Sequence, residues 1–254
     1  MEGLPLFSTW IAIFVIVFAA ALAQGLTGFG FALVAAPLFL LLMDPRSMVV
    51  LNIVVASVVC IMVVAQSWRY VSVRGMALIA LASIFGVPLG GYLLLVASAE
   101  VLKLAIAALV VLFAIPLLLG YSRKFKSERL LSVVMGFISG VLKTSTSLSG
   151  PPVVLFLVNQ GWPREMMRAS LAAYFLFLGV VAIAWFAPTG LITGGLVLIS
   201  VSVLPAAAAG FFVGIWLLPR VNAELYRRIA ILIVLGTGVA AAATAARALL
   251  YVTP

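Results

Sequence analysis

Apolar runs of about 20 residues, the length that spans a bilayer core, recur along the whole chain with only short polar gaps between them. The pattern predicts spans over 48–66, 76–96, 101–119, 130–142, 166–186 and 191–218, the last containing Pro205, and a final span ending near Ala246. The first apolar stretch, 9–43, is too long to be one straight span. At about 1.5 Å per residue it would reach about 50 Å, against a hydrocarbon core of about 30 Å. It therefore breaks or bends back, and Gln24, Gly25, Thr27, Gly28 and Gly30 mark the interruption. A second interruption lies at 139–152, SGVLKTSTSLSGPP, where Lys143 is followed by Thr144, Ser145, Thr146, Ser147, Ser149 and Gly150 before two prolines open the short run 152–158.

The halves on either side of the polar linker YSRKFKSER repeat. QGLTGFGFALVAAP (24–37) aligns without a gap on SGVLKTSTSLSGPP (139–152), pairing Gly25 with Gly140 and Pro37 with Pro152. PRSMVVLN (45–52) matches PREMMRAS (163–170), Pro88 corresponds to Pro205, and AEVLKLAIAALVVL (99–112) mirrors AELYRRIAILIVL (223–235). The expected fold is an all-α polytopic membrane protein made of two inverted-topology repeats, each a broken or re-entrant hairpin followed by three transmembrane helices. The units are 1–120 and 130–254, joined by a cytoplasmic basic linker at 121–129. Inversion follows from charge. If each broken segment enters and returns on the same side, Arg69, Arg74, Arg123, Lys124, Lys126, Arg129, Arg164, Arg168, Arg220, Arg227 and Arg228 share one face and only Arg46, Lys103 and Arg247 the other. The positive-inside rule then puts both termini outside the cytoplasm.

Composition excludes a soluble domain, since 66% of residues are hydrophobic and 8% charged, where soluble chains carry about 25% charged residues. The net charge of +9 reflects loop topology and not a nucleic-acid partner. Cys60 is the single cysteine and there is no histidine, so no internal disulfide forms and no soft-metal site or cofactor is expected. Ala-Leu-Ala before Gln24 imitates a signal-peptidase site, but Glu2 stands where a positive n-region belongs, so the segment is expected to stay.

A lysine at bilayer depth marks a functional site by default. Ser149 suits an N-cap and Pro151 or Pro152 the first turn of a half-helix, whose free N–H groups and dipole, with Lys143 and neighbouring hydroxyls, favour an oxygen-rich anion. Gly28 and Gly30 allow close approach in the first break, and Gln24 and Thr27 add donors. Asn52 and Ser170, equivalent in the repeat, lie about two turns into their spans and close the site from either side. The expected substrate-binding set is thus Gln24, Thr27, Gly28, Gly30, Asn52, Lys143, Thr144, Ser145, Ser147, Ser149, Gly150 and Ser170. Against it stand blander readings: Lys143 snorkels to an interface, hydroxyls bond back to their own helix, Asn52 and Ser170 stitch helices, and Arg164 and Arg168 set topology. The spacings Gly86-x-x-x-Gly90, Gly136-x-x-x-Gly140 and Gly210-x-x-x-Gly214 are read as helix packing alone.

The duplicated break, GLTGFG ending in a proline in one half and SGPP in the other, resembles the sulfite exporter TauE/SafE family over nearly the whole chain. This sequence departs from the family's pattern at KTSTSLS, where many relatives carry a more glycine-rich turn. The resemblance implies a non-enzymatic permease of the plasma membrane, with a small anion such as sulfite or a sulfonate and the lipid bilayer as partners. Glu2, Asp44, Glu100, Glu128, Glu165 and Glu224 all sit in loops or at span ends, so export driven by membrane potential is expected in place of carboxylate proton coupling. Import of a thiosulfate-like anion, a membrane enzyme with a Ser-Lys dyad, a non-transporting assembly subunit and a homo-oligomer are the open alternatives.

Overall fold

The computed structural model describes residues 7–119 and 128–220. Of the linker 121–129 only Glu128 and Arg129 fall within them, and the span ending near Ala246 lies outside the described residues. In order the helices are α1 (Phe7–Thr27), α2 (Phe31–Phe39), α3 (Pro45–Ser67), α4 (Val73–Val96), α5 (Ala99–Leu119), α6 (Glu128–Thr146), α7 (Gly150–Asn159), α8 (Arg164–Phe186), α9 (Gly194–Ser202) and α10 (Leu204–Leu217). There is no strand among the described residues. Five helical segments are long and apolar enough to cross a membrane: Ser8–Thr27, Pro45–Tyr70, Val73–Val96, Arg164–Thr189 and Gly194–Arg220. The chain is a multi-pass membrane protein.

Local chemistry fixes the boundaries. Asp44 caps α3 by accepting from the backbone N–H of Arg46 and Ser47, both at 3.0 Å, and Pro45 takes the first helical position, where no donor is missed. Arg46 donates from Nε to Leu94 O at 3.1 Å and from Nη2 to Leu95 O at 2.8 Å, which places a cation on the orphan carbonyls that end α4. The segment expected as one span over 191–218 is jointed at Val203, because Pro205 has no N–H to give the preceding turn. Pro88, its match in the first half, leaves α4 unbroken.

Both sequence breaks exist, and both are shorter than the polar stretches around them. α1 continues through Gln24 and Thr27, leaving only residues 28–30 outside helix, and α2 stops at Phe39 where the apolar run continues to Met43. Likewise α6 continues through Lys143 and Thr146, so Lys143 stands on the last helical turn and not in the unwound part, which is 147–149. α2 and α7, with 9 and 10 residues, reach only about 15 Å at about 1.5 Å per residue, half the hydrocarbon thickness. Each packs back on its predecessor, α2 on α1 and α7 on α6, as a helical hairpin.

Between hairpins the contacts are reciprocal: α4 lies along α6, α10 along α1, and α3 against α8. Glycines permit the first two. A Cβ on Gly86 would strike Phe137 O, one on Gly136 would strike Ile79 O, and one on Gly140 would strike Ser83 O. On the other side Gly210 faces Phe18 O and Gly214 faces Leu22 O. Small residues that let backbones touch are the main source of helix association where lipid and protein interior are equally apolar.

Candidate functional site

The two breaks meet at a buried cavity of about 20 Å³ lined by Gln24, Phe29, Phe31, Ala32, Ala56, Cys60, Lys143, Ser147, Ser149, Gly150 and Phe175. The space suffices for about one water molecule, so a polyatomic anion enters only if the hairpins part.

The first break is closed on itself. Gly28 adopts a left-handed φ of 82°, which reverses the chain after α1. Thr27 Oγ1 accepts from Phe29 N at 3.1 Å and Gly30 N at 2.9 Å. Gln24 Oε1 accepts from Phe31 N at 3.0 Å, while its Nε2 donates to Gly28 O at 2.9 Å and lies 3.3 Å from Cys60 Sγ. Three N–H groups that would otherwise point into the break are thus satisfied by two side chains of α1. Thr27, Gly28 and Gly30 shape the break without lining the cavity; Gln24 does both.

The second break is open. Ser147 takes a left-handed φ of 64° with a side chain attached, a conformation uncommon outside glycine, asparagine and aspartate. Thr146 Oγ1 donates back to Leu142 O at 3.0 Å and accepts only from Leu148 N, at 3.4 Å, and Ser149 N–H has no acceptor among the described residues. Ser149 occupies the N-cap position of α7, but its side chain makes no capping bond, because its own backbone is already helical (φ −74°, ψ −15°). Its carbonyl instead accepts from Ser139 Oγ at 2.8 Å, and Tyr174 Oη donates to that serine at 2.8 Å. Lys143, 4% exposed, is the only charged residue among the described residues that line the cavity. It ends α6, where the helix dipole favours a cation, and it faces the start of α7, where the dipole and the N–H groups of Ser149 and Gly150, ahead of Pro151 and Pro152 that have none, favour an anion.

Element boundaries also correct the register of the repeat. Thr27 and Thr146 end their helices, Gly28 and Ser147 carry the positive φ, and Gly30 and Ser149 precede the half-helices. The gapless match of Gly25 with Gly140 is therefore about one helical turn out of step. In the corrected register Gln24 is the counterpart of Lys143, Ala56 of Phe175 and Cys60 of Gly179.

Three expected site residues lie elsewhere. Thr144 Oγ1 donates to Val87 O at 2.8 Å and fastens α6 to α4. Ser145 Oγ bonds back to Val141 O at 2.7 Å, the usual alternative for a hydroxyl on a membrane helix. Ser170 Oγ accepts from Ser72 N at 2.9 Å and ties α8 to the turn before α4. Asn52, 1% exposed, contributes indirectly: its Nδ2 donates to Ser147 Oγ at 2.7 Å and holds the second break from α3.

Besides the apolar lining residues Phe29, Phe31, Ala32, Ala56 and Phe175, two residues given no site role by sequence stand out. Cys60 lines the cavity, and a signal existed, since Asn52, Ala56 and Cys60 recur every fourth position on one face of α3. Arg168, expected as a topology marker, is 1% exposed. Its Nε donates to Gly25 O at 2.8 Å and its Nη1 to Gln66 Oε1 at 2.9 Å.

A small cavity with one buried cation, held between two helical hairpins inside a bundle of apolar spans, is the candidate site of a multi-pass membrane protein. The model of the family described as sulfite exporter TauE/SafE matches residues 13–241, and the chain belongs to that family of membrane transporters. No curated protein and no solved structure matches it.

Proposed function

We propose that this protein is a plasma-membrane permease that exports a small sulfur-containing oxyanion, of the sulfite or sulfonate type, by alternating access, and that it catalyses no reaction. The observation that carries the proposal is the convergence of Lys143 and the open start of α7 on one buried cavity. A buried ammonium beside unsatisfied backbone donors is matched by one chemical class, an anion rich in oxygen. The family's description supplies the sulfur chemistry.

Alternating access requires halves that exchange roles, and an inverted repeat provides them. What supports inversion is the course of the equivalent helices α3 and α8. Gln66 at the end of α3 meets Arg168 at the start of α8, while Gly179 further along α8 abuts Ser57 further back in α3. The two helices therefore run antiparallel, as equivalents related by an axis in the membrane plane do. Arg69, Arg74, Arg164 and Arg220 then share the cytoplasmic face, Arg46 and Lys103 lie on the other, and both termini are extracytoplasmic.

Potential drives export unaided, because each negative charge leaving a negative interior gains about 2.3 kcal/mol per 100 mV. Proteoliposomes loaded with sulfite test this. Efflux should accelerate when the interior is made negative and should be lost in Lys143→Gln; flux that ignores potential and follows a proton gradient would refute the mechanism.

A further inference from the structure

We propose that Arg168 is the access-controlling residue on one face of the membrane: its guanidinium, shared between the first break and α3, shuts the route from the Lys143 cavity to the face where α3 ends and α8 begins. This rests on reading the cavity as the transported anion's site.

Four observations converge on it. Arg168 comes one turn after Arg164, which is exposed on the same helix, yet Arg168 is 1% exposed. An arginine so near a helix start has the reach to snorkel to water; this one turns inward. Its bonds to Gly25 O and Gln66 Oε1 join parts of different depth: Gly25 O belongs to the buried last turn of α1, immediately after the cavity residue Gln24, and Gln66 is exposed at the end of α3. The guanidinium therefore spans from the floor of the first break to the surface. The fit is close: a Cβ on Gly28 would lie 2.6 Å from Arg168 O and 3.1 Å from Arg168 Cγ. Glycine at 28 is thus needed for the reversal of the chain and also for α8 to seat against the break.

The first half has no cation at the equivalent position. In the repeat register that pairs Gln24 with Lys143, the first-half counterpart of Arg168 is Val49, fully buried in α3. The second break is held from α3 by neutral Asn52. One face is therefore closed through a buried cation that reaches Gly25 O and Gln66 Oε1, while the second break is held by an amide.

Cys60 provides the test, as the only cysteine of the chain and a lining residue of the cavity. Its modification by the membrane-impermeant cation 2-(trimethylammonium)ethyl methanethiosulfonate, which is not an oxyanion, is measured in oriented vesicles, with reagent added to either face and no transport substrate present. Arg168→Met should raise the rate tenfold or more from the face bearing Trp68–Tyr70 and leave the opposite face unchanged. Gln66→Ala, which removes only an exposed partner and so preserves folding, should raise the same one-sided rate severalfold. Rates unchanged in both variants, or raised equally from both faces, would overturn the proposal. Because the readout is labelling, loss of sulfite flux with intact one-sided labelling would reject the transport reading and leave the access role standing.

Discussion

The two breaks descend from the same pattern and do opposite things. In the first, Gly28 turns the chain without strain, and Gln24 and Thr27 spend their side chains on Phe29 N, Gly30 N and Phe31 N. In the second, Ser147 turns the chain at a cost, Thr146 reaches one donor at long range, and the residue in Gln24's place is Lys143. A glutamine there satisfies the backbone and leaves nothing over. A lysine cannot accept a hydrogen bond, so it leaves the donors of α7 open and adds a charge of its own. One difference between matching positions thus separates a break that satisfies itself from one that keeps open donors and a charge.

The largest effect expected from breaking this contrast is at Lys143. Lys143→Gln makes the second break resemble the first and should weaken sulfite binding by about 2–5 kcal/mol, the range for removing a buried charged partner. That is a loss of about 30-fold or more, readable as disappearance of the sulfite-induced thermal shift in detergent; an undiminished shift would place the anion elsewhere. Gly28→Ala comes next. It combines a left-handed φ with a Cβ driven into Arg168 O, and it should destabilise the protein by about 3 kcal/mol, measured as reduced resistance to denaturant in mixed micelles.

The threonines give a finer comparison. Thr27→Val keeps shape but orphans two buried N–H groups and should cost about 1–3 kcal/mol, whereas Thr146→Val, which orphans one N–H held at 3.4 Å and otherwise loses only a donation back to Leu142 O of its own helix, should cost less, about 1 kcal/mol. Equal costs would show that the two breaks are satisfied alike. The smallest effect belongs to Ser147→Gly: relief of the positive φ offsets loss of the Asn52 bond, leaving stability within about 1 kcal/mol. A large loss there would mean that Asn52, and not backbone conformation, holds the second break.

Much of the helical frame was legible because a span must satisfy its own backbone, which confines it to long apolar helices. The breaks were legible because glycine, proline and hydroxyl residues interrupt those runs, and Lys143 because a charge among them is costly. The repeat was legible in order but misread in register. Glycines in a membrane helix serve packing as readily as turning: Gly140 lies against Ser83 O, whereas Gly28 reverses the chain, and their letters are the same.

Sequence by itself therefore determined the class, the two interruptions and the buried cation. Which side of each helix faces the site was decided only by tertiary structure. In water an apolar face points inward, but in a bilayer the lipid side and the protein side are equally apolar, so hydropathy carries no direction around the helix. Ser145 and Ser170 turned away for that reason, and Cys60 and Arg168 turned in. The meeting of Gln24 and Lys143 at one cavity existed only once the hairpins had packed.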